Sequence, residues 1–291
     1  MRRLIINADD FGMTTGINRA IVEAHRAGIV TSSTIMANER AVDDAIALAS
    51  QNPSLGTGCH IVLADGVPVS AADRVPSLIV SQNGNSTRFR PGIAKLAAAV
   101  VAGRVREEEV RIEAGAQIEK LQARGVKLSH LDSHMHSHVL PPVARGVLQA
   151  AREHGITAVR NPIEPAWSLT ATHKASSLRS WNRSAQVTIL RTLRSQFLDV
   201  VRKNGLKIPD GNIGIAVTGL MNRELLTRLV ESMPEGTWEL VAHPGYNDRE
   251  LSQVRTSLRE SRAVELELLT SPETLDLFRQ REIQLISFRD L

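Results

Sequence analysis

LIINADDFGMTTGINRAIVEAHRAGIVTSSTIM, residues 4–36, is the stretch that decides the fold. Leu4, Ile5, Ile6 and Ala8 form a short apolar run that reads as a buried strand, and it ends at two acids, Asp9 and Asp10. Ile17, Ala20, Ile21 and Ala24 then share one helical face, Gly28 stops that helix, and 29–36 is rich in β-branched residues again. Strand, helix and strand in succession are the unit of a parallel sheet, because two parallel strands need a crossover between them.

The alternation continues outward from there. A helix is expected over 42–50, closed by Asn52-Pro53, then a strand over 58–63. Residues 93–124 are rich in helix formers up to Gly125, and 127–133, 143–153 and 157–160 follow as strand, helix and strand. Further on come strands at 214–217 and 238–242, helices at 223–232 and 257–269, and a last strand at 282–288. Residues 64–92 have no periodicity and carry Pro, Gly, Asn and Ser, which predicts a long loop of the kind that forms lids or substrate walls. The strand count favours one α/β domain over 1–291, an irregular (β/α) barrel of mostly parallel strands, over an open doubly wound sheet. Its site would lie at the C-terminal strand ends.

Composition excludes several classes of function. Aromatic residues are only 3%, too few for a base-stacking surface, and a net charge of +4 is mild, so nucleic acid is not the expected partner. Cys59 is the single cysteine, so no intrachain disulfide can form. After Met1-Arg2-Arg3 the apolar run is only Leu4-Ile5-Ile6, short of the ~7–15 residues of a signal peptide. No stretch approaches the ~20 apolar residues of a membrane span. A cytoplasmic protein is the expectation; oligomeric state is not readable.

Polar residues gather where the expected strands end: Asp9-Asp10, Cys59-His60, His134 and His243. One carboxylate and imidazoles from separate strands suit a divalent cation with open coordination positions. Such an ion activates water and polarises a carbonyl. Of two adjacent acids, one can ligate and the other take a proton, but neighbouring strand residues point to opposite faces, so the chain has to turn there. Taken alone, an Asp-Asp pair is more often a cap, and a lone histidine a satisfied buried group. The run His130, Asp132, His134, His136, His138 is denser: in extended conformation all five share one face.

At these residues the chain resembles a known family. NADDFG at 7–12, GCH at 58–60, HLDSHMHSH at 130–138, AHPG at 242–245 and RAVELELLTS at 262–271 are similar to motifs of the YdjC-like proteins, which include the chitooligosaccharide deacetylase ChbG. The resemblance implies an irregular β/α barrel and a metal-dependent hydrolase that removes an N-acetyl group from an amino sugar. It implies Asp10, His60 and His134 as ligands of one divalent cation, Mg²⁺ or Zn²⁺, Asp9 as general base, and His243 as the acid that protonates the leaving amine. Arg160, His136 and His138 are candidate substrate contacts; for Arg160 a structural ion pair is the equal alternative. HIVLADGVP after the ligand histidine and PDGNIGIAVTGLM at 209–221 resemble the hopanoid-biosynthesis branch, HpnK, which implies a lipid-linked N-acetylglucosamine as substrate. Met135 stands where the chitooligosaccharide enzymes carry a further histidine. The alternatives are a soluble chitooligosaccharide deacetylase and, in another class, a non-catalytic sugar- or metal-binding protein.

A basic amphipathic insertion is expected around 176–210. Between Arg179 and Lys207, the cations Arg183, Arg191, Arg194, Arg202 and Lys203 alternate with apolar residues, against one acid, Asp199. Such a helix either packs on the barrel with a solvated basic face or lies peripherally on an anionic membrane through 179–207.

Overall fold

The computed structural model describes residues 1–82, 86–172, 188 and 190–291. β1 (Arg2–Phe11) runs through the middle of the sheet, and every residue of it from 4 to 11 is buried. Cover on both faces is why this strand reads as a continuous apolar run rather than an alternating one. The helix Thr15–Arg26 begins where Thr14 Oγ1 accepts from Ile17 N at 3.1 Å and buries Ile17, Ala20, Ile21 and Ala24.

The strands β2 (Ser32–Ile35), β3 (Gly56–Ile61), β6 (His130–Ser133), β7 (Ala158–Val159), β8 (Gly211–Ile213) and β9 (Gly236–Ala242) join β1 in the order β7-β6-β3-β2-β1-β9-β8. β10 (Gln284–Leu285) pairs with the start of β1, and every pairing in this sheet is parallel. β4 (Ile79–Gln82) and β5 (Ser86–Phe89) form a separate antiparallel hairpin. The sheet curls until its edges meet. Ala158 bridges Lys207, Lys207 N donates to Thr157 O at 2.8 Å, and Asn212 N donates to Ile163 O at 3.1 Å. The result is the expected irregular barrel, and because its strands are parallel, their C-terminal ends share one mouth.

Several expectations need correction. The helical run 93–124 is two helices, Gly92–Val101 and Glu107–Gln122, separated where Gly103 takes φ +66. The strand expected at 214–217 lies earlier, at Gly211–Ile213. Gly214 ends it at φ +89 and a 3₁₀ turn follows. The segment 64–92 holds the β4–β5 hairpin and is fastened to the neighbouring helix. Gln117 exchanges hydrogen bonds with both backbone groups of Val62, Glu113 accepts from Val69 N and Ser70 N, and Glu109 accepts from Ser77 N. Residues 109, 113 and 117 stand four apart on one helical face, which is why three polar side chains can clip one loop.

Of the basic insertion, Arg179 and Arg183 lie outside the described residues. In the helix Arg194–Lys203, Phe197 and Val201 are buried, while Arg194, Arg202 and Lys203, and Arg191 ahead of it, are exposed. Among the described residues no helix is long and apolar enough to cross a membrane.

Candidate metal centre

Asp10 turns toward the histidines because β1 bulges there. Asn7 and Ala8 pair with Ser32 and Ser33, but Ile35 pairs with Phe11, so β1 holds one extra residue. Asp10 takes φ +68, a left-handed conformation that Asp tolerates better than most residues. A bulge of this kind re-aims a side chain that regular pleating would send to the other face. Gly12 follows at φ +99, its N–H held by Asn18 Oδ1 at 2.6 Å.

Asp10 Oδ1 lies 3.7 Å from His60 Nε2 and 3.5 Å from His134 Nδ1. These three ligand atoms all fall within 4.8 Å of one another. His60 is oriented from behind: its Nδ1 stands 2.7 Å from Asp132 Oδ1. Thr34 Oγ1 donates to Asp132 Oδ2 at 3.1 Å and lies 3.2 Å from the same ring nitrogen. A carboxylate at Nδ1 fixes the tautomer that leaves the Nε2 lone pair free. Burial, the largest influence, would lower the His60 pKa, but the charge and hydrogen bond of Asp132 together with the charges of Asp9 and Asp10 lift it to about 9. His60 Nε2 is buried and has no hydrogen-bond partner. An orphaned imidazole nitrogen facing a carboxylate and a second imidazole fits a divalent cation, and Asp10, His60 and His134 are the residues that would hold it. His134 is the most open of the three, its side chain 20% exposed.

Asp9 faces the other way, into a buried ion cluster. Arg160 grips it with both terminal nitrogens and also pairs with Asp132 at 2.6 Å and Glu239 at 2.8 Å. Burial alone would raise the Asp9 pKa, yet the Arg160 charge and its hydrogen bonds hold it well below the usual carboxylate range. Asp9 Oδ1 also accepts from Asn7 Nδ2 at 2.9 Å, whereas Oδ2 has Arg160 Nη1 and lies 3.9 Å from His243 Nε2. Asp9, His60 and Asp132 could also group around an ion, but the Arg160 charge already occupies that space.

The structure sorts the remaining candidates. Arg160 is 0% exposed, and its guanidinium is engaged by Asp9, Asp132 and Glu239. The five-residue face from His130 to His138 does not form, because β6 stops at Ser133 and Met135 and His136 take φ +57 and +54. His138 turns inward: Nδ1 meets Ser133 Oγ at 2.7 Å, Nε2 meets Arg160 O at 3.2 Å, and the ring stands edge-on to Phe197. Burial and then Arg160 push its pKa down to about 3. His130 stacks on Phe288 and meets Asn7 Oδ1 at 3.0 Å. His136 is 9% exposed, with Nδ1 buried and unpartnered.

Three residues of the site were not singled out from the sequence. Glu239 completes the Arg160 cluster, Arg262 pairs with Asp10 Oδ2, and Glu265 accepts from His243 N at 2.6 Å. A signal for two of them exists. Arg262, Glu265, Leu266 and Leu269 share the buried face of the helix Glu260–Thr270, and charges on an apolar face demand partners.

The model of the family described as YdjC-like protein matches residues 3–280. A protein of Brevibacillus brevis named carbohydrate deacetylase is 34% identical, with 99% of each chain covered. One of Thermoanaerobacter pseudethanolicus, named likewise, is 30% identical over 99% of this chain and 98% of its own. A solved structure from Enterococcus faecalis, provisionally described as a cellobiose-phosphate cleavage protein, superposes with a TM-score of 0.77 at 26% identity, covering 99% of this chain and 98% of that one. With the parallel barrel and the grouped acids and histidines of its mouth, this chain belongs to the YdjC-like family, whose curated relatives are carbohydrate deacetylases.

Proposed function

We propose that the protein is a metal-dependent hydrolase that removes the N-acetyl group from an acetylated amino sugar. The observation that carries this reading is the convergence of Asp10 Oδ1, His60 Nε2 and His134 Nδ1, with His60 Nε2 otherwise unpartnered, beside an acid kept ionised. A divalent cation, Mg²⁺ or Zn²⁺, would supply water activation and carbonyl polarisation there. Asp9 is the proton acceptor through Oδ2, which takes one Arg160 donor, whereas Oδ1 takes both Arg160 and Asn7. His243, across from that oxygen, donates to the leaving amine. His136, whose Nδ1 is buried and unpartnered, is the proposed substrate contact of its segment.

For the substrate we propose an N-acetylglucosamine carried on a hopanoid lipid, with the protein acting in the cytoplasm at the inner membrane face. The support is the resemblance of 209–221 to the hopanoid branch together with the exposed cations Arg191, Arg194, Arg202 and Lys203. A soluble chitooligosaccharide deacetylase is the competing reading. Elemental analysis of the purified protein and acetate release from N-acetylglucosaminyl hopanoid and from N-acetylated chitobiose test both levels. Release from chitobiose alone would overturn the lipid substrate. Release from neither, by protein loaded with either metal, would leave a binding protein.

A further inference from the structure

We propose that Arg262 is the positioning residue of the metal centre, which takes one oxygen of Asp10 so that the other alone is turned to His60 and His134. The inference rests on the metal reading above and deepens it.

Asp10 divides its oxygens cleanly. Oδ2 accepts from Arg262 Nη2, and Oδ1 is the atom near both histidines. A free carboxylate rotates and can chelate with both oxygens. With Oδ2 engaged, Asp10 presents one oxygen in one direction, and the open side of the site is preserved. The arginine is itself held. It is fully buried, Nε donates to Leu258 O at 3.1 Å, and its carbonyl accepts from Gly245 N at 3.2 Å. Gly245 makes room for the stem, since a Cβ there would come within 2.9 Å of Arg262 Cδ. Arg262 Nη1 is buried without a partner, so the guanidinium is seated to reach Asp10 and not to satisfy all of its own donors. Three residues further along the same helix, Glu265 holds the backbone of His243. One helix, Glu260–Thr270, therefore fixes a ligand on one side of the site and the proposed acid on the other.

Two effects of opposite sign meet at Arg262. Its positive charge opposes a second cation nearby, whereas its grip on Asp10 fixes a ligand. If the charge dominates, removing it strengthens metal binding. If positioning dominates, removing it weakens metal binding by ~10–100-fold, the usual consequence of losing a partner behind a ligand.

The experiment is Mn²⁺ titration followed by electron paramagnetic resonance, on the wild type, Arg262→Gln, Arg262→Lys and Gly245→Ala, with folding checked by circular dichroism. We expect Arg262→Gln to bind Mn²⁺ about 10–100-fold more weakly than wild type. Arg262→Lys should fall between them, since an ammonium keeps the charge but not the fork. Gly245→Ala, which displaces the arginine stem without changing charge, should weaken binding in the same direction. Binding by Arg262→Gln as tight as wild type or tighter overturns the proposal. Should Arg262→Gln fail to fold, unchanged affinity in both Arg262→Lys and Gly245→Ala overturns it equally. A wild type that binds no Mn²⁺, Mg²⁺ or Zn²⁺ defeats the metal reading itself, and this inference with it. A wild type that binds while the variants match it defeats this inference alone.

Discussion

Arg160 and Asp9 form a buried two-pronged ion pair, Nη1 to Oδ2 at 2.8 Å and Nη2 to Oδ1 at 2.6 Å. The same guanidinium reaches Asp132 and Glu239. It thus joins the proposed base, the carboxylate behind His60 and a third acid in one unit. Arg160→Met should destabilise the protein by roughly 3–5 kcal/mol, because removing one partner of a buried pair leaves uncompensated charge. Urea unfolding measures this, and a loss under about 1 kcal/mol would contradict the cluster's structural role.

Asp9→Asn should retain the metal and lose turnover by ~10²–10⁴-fold, the usual contribution of a general base. Asp10, one residue away, turns to the histidines instead. Elemental analysis beside acetate release separates the two. Metal loss equal to that of an Asp10 variant would mean the roles are reversed.

Asp132→Asn should weaken metal binding by about 10–100-fold, although Asp132 is not among the three proposed ligands. Its Oδ1 at 2.7 Å from His60 Nδ1 sets which ring nitrogen keeps a lone pair for the site. Calorimetric titration with Zn²⁺ gives the answer, and unchanged affinity would show that the ring is fixed by packing alone.

The metal-free protein should be most stable between about pH 4.5 and 6.5. His138 is pushed down to about 3 from an ordinary 6.5, so the unfolded chain binds more protons between those values and stability falls as pH drops. Glu239 is pushed up, by burial foremost, to about 8 from 4.5, so the native state binds more protons over that range and stability falls as pH rises. The two oppose each other between 4.5 and 6.5. Above that window His60, lifted to about 9, and Glu265, raised to about 7, add to the alkaline limb, and below it Asp9, held low, adds to the acid limb. Glu239→Gln should flatten the alkaline limb of a pH series of thermal melts; an unaltered limb would assign it elsewhere.

Anionic vesicles should bind the protein at low salt and release it at high salt, since each basic residue near such a surface contributes on the order of 1 kcal/mol, screened as the Debye length shortens. Replacing Arg191, Arg194, Arg202 and Lys203 with Gln should abolish most co-sedimentation and spare deacetylation of a soluble glycoside. Phe197 and Val201 are already committed to the core, so attraction rests on charge and not on insertion. Equal sedimentation of wild type and variant would make this an ordinary packed helix.

The fold class was legible in 4–36 because burial on both sheet faces writes itself as an unbroken apolar run, and a helix between two such runs allows only a parallel crossover. The positions Asp9, Asp10, His60, His134 and His243 were legible for a related reason: parallel strands bring their C-terminal ends together, so polar residues at strand ends meet. What each residue does there was not. Nothing local to 7–12 reveals that β1 carries an extra residue and turns Asp10 toward the histidines. The face expected from His130 to His138 failed because two left-handed residues end the alternation, a choice made by packing and not by period. Arg160 and Arg262 acquire their partners from 151 and 252 residues away. Local pattern sets which elements form and where their ends lie. Which buried charge compensates which is a long-range matter, decided only when the barrel closes and each ion finds the counter-charge that burial requires.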